Sequence, residues 1–224
     1  MVRAALFDVD GTLVDTNYLH VTAWWEAFRQ AGHTVPMTAV HRAIGLGSAD
    51  LIEHLLGAGR DSERDELISS THSALYATYF ERLVAVDGAA DLLRALAARG
   101  WKVVLATSAS GPELKALRRV LDADDVITDT ASADDVDEGK PSPAPIRHAM
   151  ELAGGTSEET VYVGDSVWDM EAATGASVTA VALLSGGIAR QELVEAGAGE
   201  VYRNPADLLA HLDSSAFSRV GRVG

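Results

Sequence analysis

Two aspartates, Asp8 and Asp10, follow an apolar stretch near the start of the chain, in the segment LFDVDGTLVDT (residues 6–16). The residues from Ala4 to Val9 are otherwise apolar and predict a buried strand. An unpaired carboxylate is costly to bury, because it loses its hydration without gaining a partner. The two carboxylates therefore either face solvent at the end of the strand or serve a ligand that requires negative oxygen atoms there.

Further polar side chains follow other apolar runs of the sequence. Thr107 and Ser108 end the run VVLATS, Lys140 lies in EGKPSP, and Asp165 follows VYVG. Asp169 comes four residues after Asp165, which places both carboxylates on one face of a helix that starts there. If these runs are neighbouring parallel strands, their carboxyl ends meet at one edge of a sheet and the side chains converge.

Such a convergence suits phosphoryl transfer. Four carboxylates at one place repel one another unless a divalent cation lies between them. Ligands made only of oxygen, with no His or Cys nearby, favour a hard cation such as Mg²⁺. One carboxylate can then attack phosphorus and form an aspartyl-phosphate while a second transfers protons. The cation, Lys140 and the Thr107 hydroxyl would hold the phosphoryl oxygens.

The composition is that of an ordinary globular protein with an acidic balance. The chain has 224 residues, 47% of them hydrophobic, and a formal net charge of −15. This charge works against binding of nucleic acids and anionic membranes, and no basic cluster offers an exception. The absence of cysteine excludes disulfides, thiolate metal sites and a thiol nucleophile. We find no signal peptide and no apolar run long enough to span a bilayer, so a cytoplasmic protein is expected.

The apolar runs alternate with stretches of helical spacing. Strands that alternate with helices in this way predict an α/β fold with a mainly parallel sheet covered on both faces. The predicted strands are residues 3–9, 102–107, 126–129, 160–164 and 177–183. The predicted helices between and after them are residues 89–99, 113–121, 143–153, 168–174 and 189–196.

One segment interrupts this alternation. From residue 17 to residue 83 the sequence shows helical patterns punctuated by Gly and Pro, with no good strand. We therefore expect a helical insertion directly after the first strand. The expected organisation is a core made of residues 1–15 and 84–213, a helical domain of residues 16–83, and a flexible tail at residues 214–224.

Four motifs of the chain resemble those of the haloacid dehalogenase superfamily. They are DVDGT, LATS, GKP and GDSVWD, in this order and at plausible spacing. The resemblance extends from about Arg3 to Gly187. It implies a Rossmann-like three-layer core with a helical (C1-type) cap inserted after the first motif, which is where the helical segment lies.

The resemblance also implies roles for the four aspartates. Asp8 would be the nucleophile and a Mg²⁺ ligand. Asp10 would be the general acid and base, with its backbone carbonyl on the metal. Asp165 would ligate Mg²⁺, and Asp169 would support the metal site.

Further roles fall on the remaining motif residues and on the insertion. Thr107 and Lys140 would bind the phosphoryl group, and a shift of one residue in register would put Ser108 in the place of Thr107. His20 and Trp24, in the first helix of the insertion, are candidate contacts between the cap and the substrate. Packing within the cap is the competing interpretation for both.

Asp10 narrows the reaction within the superfamily. Dehalogenases that act on carbon lack a carboxylate two residues after the nucleophile, and P-type ATPases carry threonine there. Phosphatases and phosphomutases need an acid at this place to protonate the leaving alcohol and then activate water. The expected function is Mg²⁺-dependent hydrolysis of a small phosphorylated metabolite, as in the phosphoglycolate phosphatase group; the oligomeric state stays open.

Two alternatives stay open at this point. A β-phosphoglucomutase-like phosphomutase is favoured by the stretch DTNYLHVTAW, but the cap of that family carries an Arg and a Lys near its glycine turn. This chain has Gly47, Ser48 and Ala49 where the arginine would be needed. A non-catalytic protein that binds a phosphate ligand on the same fold is the other alternative.

Overall fold

A sheet of six parallel strands lies at the centre of the described part of the protein. The computed structural model describes residues 2–109, 111–136 and 138–220. The strands are β1 (Ala4–Phe7), β2 (Lys102–Ala106), β3 (Ile127–Ala131), β4 (Thr160–Gly164), β5 (Thr179–Leu183) and β6 (Glu200–Tyr202). Their order across the sheet is β3-β2-β1-β4-β5-β6, so β1 pairs with β2 on one side and with β4 on the other. Five of these strands were predicted; β6, with three residues, is too short to give a pattern.

Helices occupy the connections between the strands. They are α1 (Asn17–Gln30), α2 (Met37–Ala43), α3 (Ser48–Leu56), α4 (Asp65–Ala77), α5 (Ala89–Ala98), α6 (Gly111–Leu121), α7 (Ala144–Ala153), α8 (Val167–Gly175), α9 (Arg190–Glu195), α10 (Pro205–Ala210) and α11 (Ala216–Arg219). None of the helices described is both long enough and apolar enough to cross a membrane.

The sheet separates two apolar layers because side chains alternate between its faces along each strand. On one face, Phe7 and Val163 pack in a cluster with Leu92 of α5. On the other face, Leu6 packs in a cluster with Ile146 of α7. Helices thus cover both faces of a parallel sheet, which confirms the predicted three-layer α/β class.

The helices α1 to α4 follow β1 and have an apolar cluster of their own. Trp24 and Phe28 of α1, Ile52 of α3 and Ile68 of α4 are buried in it. The described residues from 17 to 83 form no strand, in agreement with the helical pattern of the sequence. The division into a core and a separately moving cap stays a prediction.

The segment predicted to be a flexible tail, residues 214–224, contains a short helix with buried side chains. Ala216–Arg219 form α11, and Phe217 is only 4% exposed. The Phe217 ring lies 4.9 Å from the ring of Trp101 and 6.5 Å from that of Phe7. Burying an aromatic side chain stabilises a fold by about 1.5–3 kcal/mol, which offsets part of the entropy lost when this segment is ordered. The last part of the predicted tail, residues 221–224, lies outside the described residues.

Candidate active site

The carboxyl ends of three neighbouring strands bring the predicted site residues together. Asp8 directly follows β1, Thr107 directly follows β2, and Asp165 directly follows β4. β1 lies between the other two strands, and the Asp8 N–H donates to the Val163 carbonyl of β4 at 2.9 Å. The side chains therefore meet at one edge of the sheet, as the strand pattern predicted.

Lys140 lies within this group, with 3% of its surface exposed. Its Nζ donates to Asp8 Oδ1 at 2.5 Å and lies 2.7 Å from Asp169 Oδ1. A buried ammonium group needs such partners, because it has lost its hydration. The two ion pairs fix Lys140 beside Asp8, where it can also meet an anionic group bound there.

Asp169 accepts hydrogen bonds at both carboxylate oxygens. The Tyr162 hydroxyl donates to Oδ1 at 2.6 Å, and the Ser166 hydroxyl donates to Oδ2 at 2.6 Å. Ser166 caps α8 and forms a reciprocal capping box with Asp169. Asp169 therefore holds Lys140 and the start of α8 in place, which agrees with a supporting position at the site.

Three buried carboxylates form a group that fits a divalent cation. Asp8, Asp165 and Asp169 each offer an oxygen within 4.8 Å of the others. Asp165 is fixed by hydrogen bonds from Thr12 Oγ1 at 2.7 Å and Asn17 Nδ2 at 2.9 Å. Burial, together with the neighbouring carboxylates, raises the pKa of Asp165 well above its usual range and that of Asp8 to about 7. Negative charge is thus in excess here, and oxygen donors of this kind suit Mg²⁺.

The Asp10 side chain points to a different place, towards α1. Its Oδ1 accepts a hydrogen bond from Thr16 Oγ1 at 2.8 Å and lies 3.3 Å from His20 Nε2. Burial by itself would raise the pKa of Asp10, but the His20 and Thr16 contacts outweigh burial and lower it. Burial would likewise lower the pKa of His20, and the contact with Asp10 raises it instead. The Asp10 carboxylate therefore belongs to the helical side of the site, and a metal contact through its backbone carbonyl stays a prediction.

A cavity of about 60 Å³ separates the strand ends from the helical segment. Its lining includes Asp8, Asp10, His20, Trp24, Ile44, Leu46, Ser48, Leu51, His72, Ser108 and Glu113. His72 Nε2 lies 3.1 Å from His20 Nδ1, and the His72 ring stacks on Trp24 at 3.9 Å between centroids. Both candidate contacts in the insertion, His20 and Trp24, thus border the cavity, although Trp24 is also a buried packing residue.

The two hydroxyls after β2 border different spaces. Ser108 lines the cavity beside Asp8 and Asp10, and both Thr107 and Ser108 line an adjoining cavity that also contains Lys140. The Thr107 hydroxyl accepts a hydrogen bond from the Ala109 N–H at 3.0 Å. Both hydroxyls thus lie near the other predicted site residues, and the binding of a phosphoryl group by either of them stays a prediction.

The sequence of the chain also matches a known family. A sequence model described as haloacid dehalogenase-like hydrolase matches residues 2–177. The chain belongs to the haloacid dehalogenase-like hydrolases. The membership that the four motifs predicted is therefore confirmed.

Individual relatives show that the similarity extends over most of the chain. A phosphoglycolate phosphatase from Rhodospirillum rubrum is 30% identical over 221 residues, which cover 93% of this chain and 90% of the relative. A pyrophosphatase PpaX from Halalkalibacterium halodurans is 28% identical over 79% of this chain and 81% of the relative. The crystal structure of a hydrolase from Pseudomonas syringae has 35% identity and a TM-score of 0.91, covering 96% of this chain and 99% of that chain. The chain is thus a phosphatase-type enzyme of the haloacid dehalogenase-like hydrolases.

Several residues of this hydrolase site were not predicted from the sequence. Tyr162 gave a signal, because it is the one aromatic side chain of β4, whose sequence is TVYVG. Asn17 begins α1 shortly after the first motif. Glu113, in the first turn of α6, places Oε1 3.5 Å from His20 Nε2, and burial raises its pKa to about 7. Neither Glu113 nor His72 has a sequence pattern that distinguishes it from an ordinary helical residue.

Proposed function

We propose that the protein is a Mg²⁺-dependent phosphatase that hydrolyses a small phosphomonoester through an aspartyl-phosphate on Asp8. The observation that carries this proposal is the environment of the Asp8 carboxylate. Asp8 is buried at a strand end, and Lys140 donates to its Oδ1. Asp165 offers a carboxylate oxygen within 4.8 Å of an Asp8 oxygen, so the two residues could hold one Mg²⁺ together. In the described part of the chain, no donor contacts Asp8 Oδ2, so one oxygen of the carboxylate is available to attack phosphorus.

The first step transfers the phosphoryl group to the protein. Asp8 attacks phosphorus, and the bond between phosphorus and the leaving oxygen breaks as the new bond forms. Mg²⁺, held by Asp8 and Asp165 and by the Asp10 backbone carbonyl, would neutralise charge on the phosphoryl oxygens. Lys140 donates to the same oxygens, and a hydroxyl from Thr107 or Ser108 donates to another.

Proton transfer is assigned to Asp10. Asp10 and His20 share one proton, which lies on His20 while the Asp10 carboxylate is ionised. As the leaving oxygen gains negative charge, Asp10 takes this proton from His20 and delivers it to the leaving oxygen, which departs as the alcohol. Asp10 then accepts a proton from the water that attacks the aspartyl-phosphate. This second attack releases inorganic phosphate and restores the Asp8 carboxylate. His20 is a positioning residue, because it acts through Asp10.

The helices α1 to α4 would act as a cap over this site. They contact the core loops through the hydrogen bond between His41 Nε2 and the Gly186 carbonyl, at 2.8 Å. Trp168 Nε1 of α8 donates to the Arg42 carbonyl of α2 at 2.9 Å. Closure of a cap excludes water during the first step and opening releases the alcohol.

The test is phosphate release from p-nitrophenyl phosphate, phosphoglycolate, pyrophosphate and β-glucose 1-phosphate, with Mg²⁺ and with EDTA. We expect Mg²⁺-dependent release that falls at least about 10³-fold in Asp8→Asn, since a nucleophile cannot be replaced by binding alone. Asp213→Asn, at a side chain that is 90% exposed, controls for the loss of one charge. Full activity of Asp8→Asn would contradict the proposal. Conversion of β-glucose 1-phosphate to the 6-phosphate without phosphate release would indicate a phosphomutase instead.

A further inference from the structure

The part of the cavity that would receive the leaving alcohol carries acidic and neutral side chains. Of its described lining residues, none is Lys or Arg. In the adjoining cavity the described lining includes one such residue, Lys140, and its charge is opposed by Asp8 and Asp169. An anionic leaving group would therefore find no free cation among the lining residues that the structure describes.

The two histidines do not alter this balance. Burial lowers the pKa of His72 to about 2, so that ring is neutral. His20 lies between two carboxylates, 3.3 Å from Asp10 Oδ1 and 3.5 Å from Glu113 Oε1. A proton on His20 would face two carboxylates, so the described lining residues on the helical side of the cavity carry no surplus of positive charge.

The helical segment contains few basic residues, and three of its arginines form ion pairs away from the cavity. Residues 16–83 contain five arginines and no lysine. Arg42 pairs with Glu192, Arg60 pairs with Asp65 at 2.8 Å, and Arg29 pairs with Glu26 at 2.6 Å. These three guanidinium groups bind carboxylates of their own surroundings rather than the cavity.

We propose, resting on the phosphatase function above, that this pocket selects small alcohols that carry no anionic group, and that Glu113 determines this specificity. The Glu113 side chain is 26% exposed and lines the same cavity as Asp8 and Asp10. A second carboxylate or phosphate beside Glu113 would be repelled, because like charges interact strongly where water is excluded. A hydroxyl or ammonium group can instead donate a hydrogen bond to the Glu113 carboxylate.

The size of the cavity adds a second restriction. Its volume of about 60 Å³ corresponds to roughly four to six water molecules. Part of this space borders Asp8 and is needed by the phosphoryl group. The cavity therefore favours leaving alcohols of a few non-hydrogen atoms, such as a two- or three-carbon polyol or amino alcohol, over larger ones.

Three phosphomonoesters of similar size separate charge from shape. They are 2-hydroxyethyl phosphate, phosphoethanolamine and phosphoglycolate, whose terminal groups are neutral, cationic and anionic. We expect kcat/KM for each of the first two to exceed that for phosphoglycolate by about 10- to 100-fold, at pH 8 with saturating Mg²⁺. Equal or faster turnover of phosphoglycolate would overturn the proposal, as would turnover of p-nitrophenyl phosphate with none of the three esters hydrolysed.

Variants of Glu113 test whether this residue sets the ratio. Glu113→Gln should reduce the preference of 2-hydroxyethyl phosphate over phosphoglycolate at least about threefold, and Glu113→Lys should reverse it. Glu66→Gln, at an exposed residue of α4, is the charge-matched control and should leave the ratio unchanged. An unchanged ratio in both Glu113 variants would show that Glu113 does not determine the specificity. Failure of the wild-type enzyme on every phosphate ester, p-nitrophenyl phosphate included, would instead reject the phosphatase function itself.

Discussion

The two sides of the cavity differ in how they hold charge. On the strand-end side, Lys140 is buried between Asp8 and Asp169, and both carboxylates are almost fully buried with it. On the helical side, His20 lies between Asp10 and Glu113 and stacks on neighbouring aromatic rings. The first side is a compact group of charges on strand ends, whereas the second combines two partly exposed acids, Asp10 and Glu113, with aromatic and apolar walls.

In the proposed reaction, this difference in charge assigns phosphoryl transfer to one side of the cavity and selection of the leaving alcohol to the other. Charges that neutralise a phosphoryl group must be close together and fixed, because their effect depends on a low dielectric and on short distances. Selection of the alcohol needs fewer charges, and in our proposal the Glu113 carboxylate disfavours anionic alcohols. In the proposed reaction the strand-end side would therefore support the chemistry, and the helical side would face the group that leaves.

The largest effect on stability is expected at Lys140. Lys140→Met leaves the carboxylates of Asp8 and Asp169 buried without their cation, and breaking such a pair costs about 3–5 kcal/mol of unfolding free energy. Phosphatase activity should fall at least about 100-fold, since a donor to the phosphoryl group is lost. Urea denaturation and p-nitrophenyl phosphate turnover measure the two effects. Lys115→Met, at an exposed residue of α6, is the control and should change stability by less than about 0.5 kcal/mol. Equal stability of Lys140→Met and Lys115→Met would contradict the contrast between buried and exposed charge.

A smaller effect is expected from pH in the metal-free protein. The folded-state pKa of Asp8 is about 7, against 3.8 for the free side chain, so the folded protein binds more protons between these values. Stability from this group is therefore lost as the pH rises from about 4 to 7. Asp165 shifts in the same direction, whereas the lowered pKa values of Asp10 and Asp169 contribute stability that is lost only in more acidic solution.

Mg²⁺ should reverse this loss, because a cation favours the ionised carboxylates. We expect the rise in Tm on adding Mg²⁺ to be larger at pH 7.5 than at pH 5, where protons compete with the metal. Each kcal/mol corresponds to about 2–4 °C in a chain of this size. Thermal unfolding with and without Mg²⁺ measures the shift, and Asp165→Asn should remove most of it. A Mg²⁺ shift of equal size at both pH values would show that these carboxylates do not bind the metal.

The smallest effect is expected at the rim of the cap. The ion pair of Arg42 with Glu192 joins α2 to α9, and its side chains are 61% and 33% exposed. Exposed pairs contribute about 0.2–1 kcal/mol. A double-mutant cycle with Arg42→Ala and Glu192→Ala should give a coupling in that range and leave kcat unchanged within about twofold. A coupling as large as the Lys140 effect would remove the distinction between buried and rim charges.

The sequence predicted the strand-end residues because their positions depend on local geometry. Asp8, Thr107 and Asp165 each come directly after a buried apolar run, and parallel strands end at the same edge of a sheet. Lys140 was harder to predict, since a lysine in a polar loop is usually exposed. Its motif indicated a site, but only its burial between two carboxylates shows which atoms it contacts.

The sequence alone determined the α/β class, the helical segment after β1, the family and the acidic composition of the site. Only the tertiary structure decided the partners on the helical side: His20 and His72 are 52 residues apart, and Glu113 lies in a helix that follows a different strand. It also placed Phe217, from a polar terminal segment, against Phe7 and Trp101. The physical reason is common to these cases. Periodicity and strand ends act over a few residues, whereas contacts between separate elements depend on how their surfaces pack.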